Sequence, residues 1–261
     1  MEQFLVIALT AAFGLAFGSF ATVLEARIPN GPSIVSGGSV CPNCGVGIKP
    51  WHNIPVIGYL ILGGKCANCK AKISPKYPAT EIITALLFVA SVLSYGLSFS
   101  ALAMCAFAVV TMPLLLIDLR LQRLPNKLTY ALALTGLVVA LAQYIATGDA
   151  GHLLAAILSG LIPFVAFFLL ALFSGGGMGL GDVKLAGGLG LALGVTAWQS
   201  SFAAFVIAFL LGGVVAAALL VLRRAGRKHQ IPFGPYLIAG AWISYLGGPI
   251  LQQALLSLWI R

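Results

Sequence analysis

Long apolar stretches alternate with short basic ones along most of this chain. A helix that crosses the hydrocarbon core needs roughly 20 mostly apolar residues. About eight stretches qualify, near residues 3–26, 79–98, 100–117, 128–147, 153–173, 183–198, 202–222 and 233–256. The sixth is short and glycine-rich and is the weakest of the set. The runs are continuous rather than alternating, which argues for helices and against a transmembrane barrel. Helices also satisfy their own backbone groups in lipid. The pattern predicts an all-α polytopic membrane protein of about eight transmembrane helices. The first stretch has Glu2 where a signal peptide is basic, and its apolar run is too long for one. It reads as a retained helix.

One segment breaks the pattern. Residues 27–78 are polar and rich in Pro, Gly and Lys, too long for an ordinary connection. The expected organisation is a first helix over 1–26, a small loop domain over 27–78 and a helical bundle over 79–261. No internal repeat stands out.

Composition sharpens this picture. Of 261 residues, 60% are hydrophobic and 8% charged, against about 25% charged in soluble domains. The lipid bilayer is therefore the solvent for most of the chain. With eight spans and the N-terminus outside, 14 of the 15 basic residues fall in inner loops, leaving Arg261 outside. Basic residues favour the cytosolic side, so the polar loop is expected in the cytosol. Basic loops facing anionic lipid account for the net charge of +9. No interleaving of aromatic and basic residues suggests a nucleic-acid surface, and no nucleic-acid partner is expected.

The loop carries its own chemistry. Cys41-Pro-Asn-Cys44 and Cys66-Ala-Asn-Cys69 are two C-x2-C pairs separated by 21 residues. This spacing suits four thiolates around one tetrahedral zinc. Gly45 and Asn68 are the residues expected to form the tight turns. Two disulfides are the alternative, disfavoured where thiols stay reduced. Four protein ligands leave no open position, so the zinc is expected to be structural. The fifth cysteine, Cys105, lies mid-span and reads as a packing residue.

Acidic residues are scarce. Glu2 and Asp149 lie on the expected outer side, whereas Glu25, Glu81, Asp118 and Asp182 lie near inner ends of spans. Any one of them can be a solvated interfacial group or a cap, since an interfacial charge is tolerable. Two have distinctive surroundings. Asp118 closes the third span, and Asp182 follows Gly179-Leu-Gly181 at the start of the sixth. Two carboxyls at one depth on separate helices can share a proton, and one can then activate water while the other polarises a peptide carbonyl. Helix polarity favours charge on Asp182, at an N-terminus, and disfavours it on Asp118, at a C-terminus.

The ordered set of motifs resembles the bacterial type IV prepilin peptidases over nearly the whole chain. The matching pieces are Phe17-Gly-Ser-Phe20 with Arg27 and Pro29, the paired C-x2-C loop, Tyr77-Pro78 with Glu81, Asp118 with Leu124-Pro-Asn126, and Gly179-Leu-Gly-Asp182-Val-Lys184. The resemblance implies an aspartic membrane peptidase of the bacterial inner membrane, with Asp118 and Asp182 as the catalytic pair. It implies prepilin and pseudopilin substrates of pilus and type II secretion systems, cut on the cytosolic side. Members with the cysteine loop also methylate the new N-terminus with S-adenosylmethionine. Thr22 stands where the family usually has Asn. No glycine-rich nucleotide fingerprint locates the methyl donor, and Glu81 is a candidate positioning residue. The competing readings are a transporter using its carboxylates and a scaffold whose zinc loop binds partners.

Overall fold

The computed structural model describes residues 1–31, 34, 37–173, 178–222 and 232–259. Arg223, Arg224, Arg227, Lys228 and Arg261, counted in the charge asymmetry, lie outside the described residues, as do residues 174–177 of the glycine run.

Eight long or medium helices correspond one for one with the eight expected spans. They are α1 (Glu2–Arg27), α3 (Lys76–Tyr95), α4 (Phe99–Leu121), α5 (Asn126–Thr147), α6 (Ala150–Phe173), α7 (Leu180–Gly194), α8 (Trp198–Val221) and α9 (Gly234–Trp259). The loop after α1 adds a 3-10 turn over Pro50–Asn53 and the short α2 (Ile57–Ile61). Among the described residues, six helices are long and apolar enough to cross a membrane. Two of the eight are not among them: α9, and the sixth expected span, α7. At 1.5 Å per residue its 15 residues reach about 22 Å, short of the ~30 Å hydrocarbon core. It begins at Leu180 rather than 183 and stops at Gly194. α9 bends at Gly248, where φ is 36°.

Helix ends depart from hydropathy boundaries for a physical reason. The third span is expected to end at residue 117, yet α4 continues to Leu121. Hydropathy marks where lipid ends, not where the backbone stops coiling. Gln122, in the left-handed region, closes α4 by donating its N–H to the Asp118 carbonyl at 2.9 Å. Asp118 is thus inside the last turn of α4. α3 starts at Lys76 because Pro75 caps it, and Pro78 sits in its first turn, where a missing N–H is harmless.

Close helix crossings rely on small residues, as expected where lipid provides no hydrophobic drive between helices. Gly14 and Gly18 form a G-x3-G face on α1 against α3. A Cβ on Gly18 would stand 2.6 Å from the Glu81 Cα, and one on Gly14 would stand 2.5 Å from the Ala85 Cα. α7 docks against α6 in the same manner, with Gly190 against the Ser159 carbonyl and Gly194 against Ala156. The main core wraps α4 and α7 with Phe107, Leu114, Ile117, Leu185, Leu189, Leu237 and Tyr245, all fully buried. Cys105 packs against this core, in the packing role expected of it.

An ion network ties three helices at one end of the bundle. Lys76 on α3 donates to both carboxylate oxygens of Glu25 on α1, at 2.8 and 2.7 Å. Arg120 on α4 approaches the same carboxylate at 3.7 Å. Glu25 is buried, whereas its two partners are partly exposed. The Glu25→Gln variant is expected to lose about 1–2 kcal/mol of stability, because the surface-facing cations are screened. The thermal midpoint of detergent-solubilised protein measures this, and an unchanged midpoint would assign the network no structural weight.

Candidate active site

The loop's cysteines come together. The four Sγ atoms of Cys41, Cys44, Cys66 and Cys69 lie within 4.8 Å of one another. All four are free thiols, so the disulfide alternative is not realised. The donor set fits one tetrahedral metal, with all four positions taken by protein.

The surrounding backbone reveals a repeat that the sequence alone does not advertise. Cys41 N–H donates to the Val46 carbonyl at 2.9 Å, and Cys66 N–H to Ala71 at 2.8 Å. Gly45 N–H donates to Cys41, and Lys70 N–H to Cys66. The Val40–Gly47 bridge matches Lys65–Lys72. Every pair is offset by the same 25 residues. The left-handed turn residues are Gly45 (φ 71°) and Lys70 (φ 61°). Gly45 is as expected, but in the second knuckle Lys70 takes that role rather than Asn68. Asn68 instead donates its amide to Cys44 Sγ at 3.7 Å, and Asn43 donates to Cys69 Sγ at 3.5 Å. Each knuckle therefore supplies an outer partner to the other's sulfur. The Ala71 N–H and the Asn43 amide lower the Cys69 thiol to about 6.

The second group of residues lies where α4, α7 and α9 converge. Asp118, in the last turn of α4, is buried. Asp182, in the first turn of α7, is half-buried. Asp118 lies within electrostatic range of Asp182. Asp182 is anchored by its own helix start: its N–H donates to the Gly179 carbonyl at 3.1 Å, and its carboxylate receives the Gly179 N–H. An acid at the third helical position reaching back to the cap is half of a capping box.

The motif after α4 holds α7 in place. A Cβ on Gly181 would stand 3.1 Å from the Leu124 Cβ, so the two backbones meet closely. Lys184 donates to the Asn126 side-chain oxygen at 2.8 Å and lies over the Tyr130 ring at 5.5 Å. Leu124-Pro-Asn126 and Gly179–Lys184 are therefore two halves of one junction.

Sequence reasoning missed Gly234. Its N–H faces the Asp118 carboxylate from the first turn of α9. A Cβ at this position would overlap Asp118 Oδ2. The available signal was Pro232-Phe-Gly-Pro235, a turn cluster opening a helix. This contact also corrects the helix-polarity argument. Asp118 sits at the negative end of α4 but faces the positive end of α9, so local helix ends do not separate the two aspartates. Asp118 Oδ2 is buried without a hydrogen-bond partner of good geometry among the described residues.

The other acids fall elsewhere. Glu25 belongs to the ion network, and Glu81 binds the Val56 N–H at 2.7 Å. Asp149 accepts the Gly151 N–H at 2.8 Å and pairs with His152, which holds its carboxyl below the usual range.

Known proteins share this arrangement of sequence. A model for the bacterial peptidase A24 N-terminal domain matches residues 12–95, and one for the type IV leader peptidase family matches residues 102–217. A prepilin leader peptidase/N-methyltransferase of Pseudomonas aeruginosa is 34% identical over 272 residues, covering 95% of this chain and 92% of the relative. A protein of the same description from Bacillus subtilis is 32% identical, covering 95% and 96%. One from Neisseria gonorrhoeae is 32% identical, covering 95% and 93%. No solved structure matches the chain. With two matched domains in order and relatives aligned nearly end to end, the chain belongs to the type IV leader peptidase family.

Proposed function

We propose that this protein is an inner-membrane aspartic peptidase that removes the leader of type IV prepilins and pseudopilins, with Asp118 and Asp182 as its catalytic pair. The observation that carries the reading is the convergence of two carboxyls from α4 and α7, one with a buried oxygen that has no hydrogen-bond partner of good geometry among the described residues. An unpaired buried oxygen beside a second carboxyl is the setting in which two acids share one proton. In that state the ionised carboxylate takes a proton from water as the oxygen attacks the scissile carbonyl. The protonated carboxyl gives its proton to the carbonyl oxygen. The tetrahedral intermediate collapses as the leaving amine is protonated, and the pair is left with one proton again. The pair titrates as a unit, so neither residue is assigned a fixed protonation state.

The charge asymmetry and the ion network both support one common side for loop and aspartates. Glu25, Lys76 and Arg120 put both borders of the cysteine loop beside the α4 end that carries Asp118. The excess of basic residues in these loops supports a cytosolic side for both loop and aspartates. Residues 27–78 act as a zinc-stapled domain on the bundle of 79–261.

The same protein is proposed to methylate the freed N-terminus, the second activity in its relatives' names. Bound S-adenosylmethionine supplies an electrophilic methyl group on a sulfonium. The transporter and scaffold readings lose ground because the acids lie at helix ends on one side and the family is a peptidase family.

The test is incubation of purified protein in detergent with a prepilin, with the product's N-terminus read by mass. Cleavage after the leader supports the reading, and no cleavage by folded protein contradicts it. Gly234→Ala is expected to lower kcat/KM about 10- to 100-fold, since a displacement near 1 Å at a reacting group costs about that much. Unchanged cleavage by this variant would remove Gly234 from the site.

A further inference from the structure

Away from the aspartates, a cavity of about 680 Å³ lies between the loop-side ends of α1 and α3 and the cysteine loop. Neither Asp118 nor Asp182 lines it. Glu81 is its single acidic residue among the described ones, and Glu81 is buried.

The carboxylate of Glu81 is held by an unusual device. Val56 has φ 60° and ψ −50°, in a γ-turn closed by the Ile57 N–H to the Pro55 carbonyl at 2.6 Å. This positive-φ turn is rare and strained, the more so for a β-branched residue. Its result is that the Val56 N–H points at Glu81 Oε2. The Ser19 hydroxyl reaches the same carboxylate. Backbone strain of this kind clusters at ligand clamps, and here it orients the cavity's one carboxylate among the described residues.

We infer that this cavity is the seat of S-adenosylmethionine, with Glu81 opposing the positive charge of its sulfonium. The inference rests on the methyl-transfer half of the proposed function and gives it a place separate from the peptidase pair. The fit is chemical as well as spatial. The volume is that of a pocket for a nucleoside-sized ligand. Tyr59 and Tyr77 offer rings to a purine. Lys49 and Lys72 also line the cavity and offer cations to a ligand carboxylate. Gly64 keeps Tyr59 in place, since a Cβ there would stand 2.9 Å from its hydroxyl. Thr22 lines the wall too, and its hydroxyl donates to the Ser19 carbonyl at 2.7 Å. Cys41 and Cys66 also border the cavity. The metal-stapled loop thereby forms one wall of the methyl-donor site.

The test uses the full chain in detergent, titrated calorimetrically with S-adenosylmethionine and with S-adenosylhomocysteine, whose sulfur is uncharged. Zinc content serves as the folding control. Glu81→Gln is expected to weaken S-adenosylmethionine binding about tenfold or more, and S-adenosylhomocysteine binding markedly less. Equal loss for both ligands, or no loss, overturns the charge assignment. Ultraviolet cross-linking of labelled S-adenosylmethionine to the unmodified protein avoids variants altogether. Label within residues 49–81 supports the site, and label confined elsewhere overturns it. Methylation of a pre-cleaved peptide by the parent protein separates the two levels. If the parent methylates but the cavity is unlabelled, the location is wrong and the activity stands. If the parent neither methylates nor binds the donor, both fall.

Discussion

Asp118→Asn and Asp182→Asn are each expected to lower kcat/KM for leader removal by about 10³-fold or more, the scale seen when a group essential to proton transfer is lost. Asn keeps the size of Asp but neither takes nor gives the proton that the pair exchanges. The two positions act as one device, so the double variant is expected to be about as impaired as either single one, not impaired by the product of the two. Loss of activity through unfolding predicts a different pattern. Asp118 is buried with one oxygen that has no hydrogen-bond partner of good geometry among the described residues, and removing a buried ionisable group at such a place tends to spare or raise stability. A thermal midpoint at or above that of the parent, with cleavage abolished, is therefore the specific expectation. The measurement is a rate on a purified prepilin by mass spectrometry beside thermal unfolding. Either single variant cleaving within about tenfold of the parent would sink the dyad.

The aspartates were readable in the sequence because their signals are local. A glycine pair before Asp182 and the close of an apolar run at Asp118 are visible within a few residues. The eight helices were readable for the same reason, since apolar length is a property of each segment by itself. What lay beyond reach depends on segments far apart in the chain. Gly234 reaches Asp118 across 116 residues of sequence, because α9 packs against α4 and α7. The polarity argument failed at the same point, since it counted each aspartate's own helix and not the α9 end facing Asp118. The repeat in the loop was hidden by its charges: Gly45 and Lys70 occupy equivalent left-handed positions yet share nothing in composition. The sequence makes Glu81 a candidate positioning residue as readily as an interfacial acid, and only the fold shows the strained turn that Val56 presents to it.

The ion network gives these distant parts a physical connection. Arg120 is two residues from Asp118 and touches Glu25, which in turn holds Lys76 at the start of the helix that carries Glu81. The proposed peptidase pair and methyl-donor cavity thus share a frame at one end of the bundle.

The second large effect concerns the metal. Protein purified without chelator is expected to hold about one zinc per chain, and Cys66→Ser with Cys69→Ser to hold none. The loop has almost no core with which to survive that loss. Between residues 28 and 75, Cys41 and Gly58 are the buried positions among the described residues. Structural zinc in such small sites contributes about 10–16 kcal/mol at neutral pH, which is in effect the folding energy of the domain. Without it the loop should open to proteolysis between α1 and α3 while the bundle stays helical, since the loop's own helical content is the Pro50–Asn53 turn and α2. Protons compete for the same sulfurs. The Cys69 thiol of the metal-free loop sits at about 6, below an ordinary thiol, so it is largely thiolate at neutral pH and gains a proton as pH falls through that value. Zinc retention should therefore be fullest at neutral pH and above, and decline in acid as the four sulfurs gain protons. Metal analysis across a pH series, with limited proteolysis of each sample, decides it. A loop that resists protease equally with and without metal would show that something other than the four cysteines holds it.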